Sequence, residues 1–421
     1  MFGELVDYIM LANIPTSNDQ GLSPSSPFIG TRPFLRTEAA YFFGREREAT
    51  RLANMIAAGT MAILYGESGV GKSSLLNARL PIALEDIEPD WLVIAFFEWQ
   101  PGFERRLSNA LERKLDQTFD NKNVFSIEGL AKRLLDWTNT GERPLLLILD
   151  QFEEYFLYHP SGHPSFEAEI AKLVNRRSGG VRVLFCLRSE GLFLLDRLRL
   201  RIPDIFARMM LLEPLSPEAA VDCIIKPIEA YNRERQTIVA VPNRELVSAL
   251  VCGSTEQEIR RRLPRHGKGE FERNQFLNNR IVAPFLQMAL DELWDEDIVV
   301  RQRNELCLQT LRDLADLSQD ESASQAVGLL AQNYVDSILK NFGYREKAVC
   351  ASIFERMVLP SGQKVAIKKT ASSRSRVGAF SPIVNRLAAS VVVAVGMWAT
   401  RACVVHQPDN GCTRHCLAST M

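Results

Sequence analysis

The sequence lacks several features that would place the protein in a specialised class. Its charge is balanced, with 50 Lys and Arg against 51 Asp and Glu, so no whole-chain field attracts nucleic acid or anionic membrane. The longest apolar run, 387–400, is shorter than the roughly 20 residues of a membrane span. The eight cysteines follow no disulfide-framework spacing, which favours a reducing compartment. The first 15 residues carry no basic side chain, so we expect no secretory signal and a cytoplasmic location.

The pattern of the chain divides it into four parts. Residues 1–26 form an N-terminal extension and a linker rich in Pro and Ser. In 27–214, helical segments alternate with short apolar strands, which predicts an α/β domain with a parallel sheet. Only amphipathic helical patterns follow in 215–342. The remainder, 343–421, ends in a basic tail, whose last 61 residues contain eight Lys or Arg and one acid.

One segment, "GESGVGKS", fits the pattern G-x-x-x-x-G-K-[ST] without a mismatch and lies between a predicted strand and a predicted helix. We call it the phosphate loop; with the next residue it comprises Gly66, Glu67, Ser68, Gly69, Val70, Gly71, Lys72, Ser73 and Ser74. Its glycines let successive backbone N–H groups face phosphate oxygens, and the helix N-terminus adds a positive dipole end. Lys72 would reach the β- and γ-phosphates, and Ser73 would ligate Mg²⁺. A glycine-rich structural turn is the alternative interpretation.

Acidic residues follow a second apolar strand, "LLLILD", which ends at Asp150 and is followed by Glu153 and Glu154. Asp150 can hold the Mg²⁺ shell, while Glu153 or Glu154 orients and deprotonates water. Alternatively, the two glutamates only begin a helix, because acids favour helix N-termini. Arg188 ends a further strand, which we place between the other two. We predict that Arg188 senses the γ-phosphate; an exposed Arg at a strand end is the alternative.

Two missing motifs narrow the nucleotide class. The guanine-reading pattern Asn-Lys-x-Asp is approached only by "NKNV" at 121–124, which lacks the Asp, and no LSGGQ-like segment is present. GTP and transporter ATPases are therefore disfavoured. His159 and His163 lie in a loop with Pro and Gly and have no visible partner in the sequence.

Taken together, these motifs resemble the STAND class of signalling NTPases, and within it the bacterial group called novel STAND NTPase 1. The resemblance covers roughly 27–367. It rests on "PFIGTRPFLRTEAAYFFGREREATRL", the phosphate loop, "LLLILDQFEEYF", "LRSEGLFLLDRL" and "RIVAPFLQMALDELWDED". The phosphate loop alone is generic, but its combination with "FFGRERE" and "LDQFEE" is specific.

The resemblance implies a fold and a way of working. It implies an ASCE-type P-loop NTPase domain at 27–214, a helical lid at 215–342 and a winged-helix-like, degenerate segment at 343–421. Arg45 would lie near the nucleotide, and Pro227 would contact its base side. ADP would hold a closed resting state, and exchange for ATP would permit self-association and signalling to an effector that the motifs do not identify.

The leading hypothesis is therefore an ATP-dependent switch with slow hydrolysis, which uses ATP or ADP with Mg²⁺ in bacterial signalling or defence and has no membrane partner. A less favoured alternative is an ATP-regulated DNA-binding transcription regulator, because winged helices dock in grooves and 364–376 is basic. A third is a truncated nucleotide-binding remnant. It is motivated by the loss of acids after about 367, which we interpret as an altered reading frame or a truncation.

Overall fold

The structure is a computed structural model, and it describes residues 26–115, 127–141, 143–176, 180–262, 280–340 and 343. The chain divides into two compact units. The first unit comprises Gln20–Val251 and Arg280–Thr310. The second comprises Met1–Asp19, Cys252–Asn279 and Leu311–Met421. The predicted winged-helix-like segment, its basic stretch at 364–376 and nearly all of the predicted linker lie outside the described residues.

A parallel sheet of five strands forms the centre of the first unit. In chain order the strands are β1 (Met61–Gly66), β2 (Leu92–Phe96), β3 (Leu145–Leu149), β4 (Val181–Arg188) and β5 (Met209–Leu211). They lie in the order β2-β3-β4-β1-β5, and each neighbouring pair is parallel. β4 therefore lies between β1 and β3, as predicted, and the predicted α/β class with a parallel sheet is confirmed.

The central strands are buried on both faces, which explains why they appear in the sequence as continuous apolar runs. Successive side chains of a strand point to opposite faces. Accordingly, Ile63 of β1 and Leu147 of β3 belong to one apolar core, whereas their neighbours Leu64 and Ile148 belong to another. The sheet thus separates two cores, and helices cover both of its faces.

The α-helices are, in chain order, α1 (Glu46–Ala57), α2 (Lys72–Ser74), α3 (Leu80–Glu85), α4 (Phe103–Leu115), α5 (Leu130–Gly141), α6 (Phe152–Tyr158), α7 (Pro164–Val174), α8 (Pro217–Arg235), α9 (Arg244–Gly253), α10 (Glu256–Arg262), α11 (Ala283–Trp294), α12 (Leu308–Leu314) and α13 (Ala326–Lys340). A π-helical turn, Leu75–Arg79, connects α2 to α3, and a second one, Asp295–Val300, follows α11. The 3₁₀-helices are Arg36–Tyr41, Ser189–Leu198 and Ala323–Gln325. In the second unit, α10 contacts α13.

Local signals place several of these elements. α1 buries Ala49, Leu52, Ala53 and Ile56, which lie on one helical face. The letters "SPEAAV" predict a helix start with a Ser cap and Pro at the first helical position, and α8 begins there. The Ser216 side chain accepts a hydrogen bond from a backbone N–H of the first turn. After residue 216 the described chain is mainly helical, while its role as a lid stays a prediction. None of its helices combines the length and apolar character needed to cross a membrane.

Two elements differ from the sequence prediction. The apolar run "WLVIAFFEW" predicts a strand at 91–99, but β2 ends at Phe96, opposite the end of its register partner β3 at Leu149. Trp99 therefore lies beyond the strand tip. The segment "LFLLDRL", whose pattern predicts a short helix, belongs to a longer 3₁₀-helix, Ser189–Leu198.

Candidate functional site

The phosphate loop connects the end of β1 to the start of α2. Gly69 and Gly71 have φ angles of 79° and 97°, a region that side chains with a Cβ rarely adopt. At Gly66 a Cβ would lie 2.6 Å from the backbone oxygen of Leu212, so glycine is required there by close packing. The glycines of the loop are thus explained by its backbone angles and by close packing at Gly66.

Lys72 and Ser73 lie at the C-terminal end of this loop. Lys72 Nζ donates to the carbonyl oxygens of Gly66 and Glu67, each at 2.9 Å. Ser73 Oγ donates to Asp150 Oδ2 at 3.2 Å, so the structure brings the loop and the acid of β3 together. A hydroxyl and a carboxylate are hard oxygen donors of the kind Mg²⁺ prefers, and Mg²⁺ usually takes its remaining ligands from water and phosphate. The residues present therefore fit a nucleotide phosphate with Mg²⁺.

Asp150 is the first residue after β3, and its surroundings fix it. Gln151 N donates to Asp150 Oδ1 at 2.8 Å, and the Trp99 indole Nε1 donates to the Asp150 carbonyl at 2.7 Å. Burial, and next the charge of Asp150, hold the pKa of the Cys186 thiol of β4 well above its usual range. Gln151 itself has a φ of 50°, in the left-handed region. The acid is thus held through both its carboxylate and its backbone.

Glu153 and Glu154 both lie in the first turn of α6. They therefore begin a helix, which was the alternative to a catalytic role. Glu153, however, also contacts the C-terminal end of β4. Its Oε1 lies 3.2 Å from Arg188 Nε, and its Oε2 accepts a bond from Arg188 N at 3.2 Å. Burial raises the pKa of Glu153, and the charge of Arg188 opposes this rise. Arg188 lies beside Gly66 in the sheet register, so the ion pair borders the phosphate loop.

Arg45 is almost fully buried and hydrogen-bonds to the backbone of the phosphate loop. Its Nη2 donates to the carbonyl oxygens of Val70 at 3.0 Å and Glu213 at 2.8 Å, while Nη1 pairs with Glu48 at 2.7 Å. One guanidinium thus connects the phosphate loop, α1 and the segment after β5. This geometry supports a contribution of Arg45 to the shape of the loop.

The remaining predicted residues lie near the loop or on a helix attached to it. The Ser74 hydroxyl accepts a bond from Phe34 N in the "RPF" motif, and Ser68 is exposed on the loop. Pro227 is buried within α8, one turn after Cys223, whose thiol donates to the Phe43 carbonyl at 3.1 Å. Pro227 therefore belongs to a helix that packs on the "FFGRE" segment.

Two residues near the start of α11, one before the helix and one in its first turn, were not predicted from the sequence. Pro284 lies against the phosphate loop, because a Cβ on Gly69 would be 3.3 Å from Pro284 Cγ. Arg280 Nη1 lies 3.8 Å from Glu67 Oε1. Both come from "RIVAP", a segment that was recognised as part of the resemblance but given no site residue. An open groove of about 750 Å³ lies along α1, and none of its lining residues belongs to the phosphate loop.

Comparison with known proteins gives a match to one family model, Novel STAND NTPase 1, over residues 27–407. The match extends past residue 367, where the resemblance was expected to fade. No curated protein matches the chain.

Three solved structures are similar at low sequence identity. The Aeropyrum pernix ORC2 protein, in ADPNP–ADP complexes, has a TM-score of 0.46 and 14% identity, and the match covers 86% of this chain and 95% of that one. The Walker-type ATPase of Pyrococcus abyssi has a TM-score of 0.44 and 14% identity, with 88% and 98% covered. Cdc6p from Pyrobaculum aerophilum has a TM-score of 0.42 and 13% identity, with 85% and 94% covered.

Proposed function

The chain belongs to the novel STAND NTPase 1 family, and from that premise we propose that it is a slowly hydrolysing adenine-nucleotide switch. The observation that carries the proposal is the 3.2 Å contact between Ser73 Oγ and Asp150 Oδ2, with the Lys72 ammonium on the same loop. A loop for phosphate and an acid for Mg²⁺ are then next to each other. Mg²⁺, when bound, supplies positive charge to the phosphate oxygens.

The chain's own groups divide the remaining work. The Lys72 ammonium donates to two carbonyl oxygens of the loop. When nucleotide binds, it can exchange these carbonyls for phosphate oxygens. Ser73 Oγ and Asp150 Oδ2 would hold the Mg²⁺ ion. Glu153 is the candidate base, because a carboxylate whose pKa is raised can accept a proton from water at its Oε atoms. Arg188 forms an ion pair with the Glu153 carboxylate. Because this pairing competes with proton acceptance by the carboxylate, it supports slow rather than fast ATP hydrolysis.

The switching part of the proposal follows the resemblance. ADP holds the resting state, and ATP in its place permits self-association and output in bacterial signalling or defence. Arg280 and Pro284 are the residues through which the start of α11 can respond, because they lie against Glu67 and Gly69 of the loop.

The test compares Lys72→Ala with Lys172→Ala, a matched substitution at an exposed lysine of α7 that pairs with Glu169. We expect Lys72→Ala to lose binding of a fluorescent ADP analogue and ATP turnover, and Lys172→Ala to keep both. Light scattering after size exclusion should show larger assemblies of wild type with ATP than with ADP. The proposal fails if Lys72→Ala binds nucleotide like wild type, and its switch part fails if the assembly size ignores the nucleotide. Steep salt-dependent duplex binding would favour the DNA-binding alternative instead.

A further inference from the structure

Trp99 is fully buried beyond the tip of β2 and is held inside an aromatic cluster. The rings in contact with it are Phe96, Phe103, Phe152, Tyr155 and Phe166, with centroids 5.0 to 5.9 Å away. Such packing leaves the indole little freedom. Its single polar atom, Nε1, points to the Asp150 carbonyl at 2.7 Å. The buried indole therefore provides a fixed hydrogen-bond donor to the backbone of Asp150, the residue proposed to bind Mg²⁺.

His159 fixes the backbone of Trp99 from the other side. Its Nε2 lies 2.8 Å from the Trp99 carbonyl oxygen. A carbonyl can only accept, so His159 must carry a hydrogen on Nε2. The same ring packs against Phe103. Both the carbonyl and the indole of Trp99 are therefore anchored, although the sequence indicated no partner for His159.

The peptide between Asp150 and Gln151 transmits this anchoring to the carboxylate. Its carbonyl accepts the Trp99 bond, and its N–H, on Gln151, donates to Asp150 Oδ1 at 2.8 Å. Because a peptide unit is planar, the direction of its carbonyl fixes the direction of its N–H. Asp150 N is held as well, by the Phe96 carbonyl at 2.8 Å. A rotation of the 150–151 peptide would break the Trp99 bond and the carboxylate bond together.

We infer that Trp99 is a positioning residue for Asp150: its indole N–H, through the 150–151 peptide, sets the carboxylate in the orientation that meets Ser73 and Mg²⁺. This inference rests on the proposed function. Trp99 touches no reacting group, so its effect is on the affinity for Mg²⁺ in the presence of nucleotide, rather than on nucleotide binding without metal. Residues that orient a metal ligand typically change metal affinity by roughly 10–100-fold when replaced.

The test compares Trp99→Phe with Trp91→Phe. Trp91 is a matched control, because its indole is also buried but its Nε1 has no hydrogen-bond partner among the described residues. At a subsaturating concentration of a fluorescent ADP analogue, Mg²⁺ is titrated and the Mg²⁺ concentration that gives half of the maximal increase in binding is measured. We expect about a tenfold increase for Trp99→Phe, no change for Trp91→Phe, and unchanged nucleotide affinity of both variants in EDTA.

The outcomes separate the inference from the proposed function. Equal Mg²⁺ half-saturation in the two variants, with Mg²⁺-dependent binding in wild type, overturns the inference alone. Wild type without Mg²⁺-dependent nucleotide binding overturns the proposed function and the inference with it. Loss of affinity in EDTA to the same extent as with Mg²⁺ also overturns the inference, since it indicates a general structural defect.

A second measurement does not require Trp99→Phe to fold. Wild-type protein is labelled with 5-fluorotryptophan, and the ¹⁹F resonance of Trp99 is assigned by elimination from Phe variants at the other four tryptophans. Addition of Mg²⁺ to the ADP complex should shift the Trp99 resonance and leave that of Trp91 in place. A Trp99 resonance that does not respond to Mg²⁺ overturns the inference.

Discussion

Replacement of Arg45 by Met tests whether the buried guanidinium stabilises the phosphate loop. The substitution keeps an unbranched apolar stem and removes the donors to the Val70 and Glu213 carbonyls. Hydrogen bonds that involve a charged group contribute about 1.5–3 kcal/mol each, and Val70, whose carbonyl would lose this donor, is buried. The Glu48 carboxylate is partly exposed, so its pairing adds little. We expect the unfolding free energy to fall by about 3 kcal/mol.

Urea unfolding followed by tryptophan fluorescence measures this effect. For an m-value of about 3 kcal/mol/M, the expected loss lowers the midpoint by about 1 M. Arg36→Met is the control, because Arg36 makes an ion pair with Glu85 in which both side chains are exposed. Exposed pairs contribute less than about 1 kcal/mol, so this midpoint should move little.

Arg45→Lys separates charge from geometry. Lysine keeps the positive charge but lacks the planar fork that reaches two carbonyls at once. We expect a midpoint between those of wild type and Arg45→Met, together with weakened binding of the fluorescent ADP analogue. If Arg45→Met unfolds at the same urea midpoint as Arg36→Met, the Arg45 guanidinium does not stabilise the loop. If Arg45→Lys is indistinguishable from wild type, the planar guanidinium is not needed and a positive charge is enough.

Three further predictions concern the strand tips and the loop. Glu153→Gln should slow ATP turnover by roughly 10²–10⁴-fold with nucleotide binding retained, and Glu154→Gln should slow it much less; equal losses would contradict the assignment of the base to Glu153. Arg188→Gln removes a positive charge that lowers the pKa of Glu153, so this pKa should rise and the acid limb of the kcat–pH profile should move to higher pH. An unchanged acid limb would contradict the assignment of Glu153 as the base. Gly66→Ala places a Cβ 2.6 Å from a backbone oxygen, so it should lower the free energy of unfolding by about 1–3 kcal/mol. Gly141→Ala has open space around its Cβ and should leave the stability unchanged. Similar melting temperatures for the two variants would contradict the close packing at Gly66.

Local patterns were enough to predict β1 and the phosphate loop. An apolar run that ends in a glycine-rich loop specifies its own conformation, because only glycine adopts the backbone angles found at Gly69 and Gly71 at low cost. The place of β4 between β1 and β3 also agrees with the structure.

What the sequence could not predict depends on long-range packing. The choice between Glu153 and Glu154 depends on the angle at which α6 leaves the sheet, and this is set by the left-handed φ of Gln151, a conformation uncommon for a residue with a side chain. Trp99 fits a strand by composition, but the aromatic cluster and the Asp150 carbonyl determine its position. Arg280 and Pro284 meet the loop from a segment more than 200 residues away along the chain, and no local pattern encodes that contact.

Burial of β1, β3 and β4 on both faces has a consequence for how such a protein can open. Amide protons of strands in the middle of a sheet commonly exchange with solvent only when the whole cooperative unit unfolds. Lys72, Asp150 and Glu153 all follow directly from those strands. Their relative positions should therefore persist through every partial opening that leaves the sheet intact. In the proposed switch, a stimulus that releases the nucleotide therefore acts on segments outside the sheet that touch the loop, such as the start of α11, while the sheet itself stays intact for the next nucleotide.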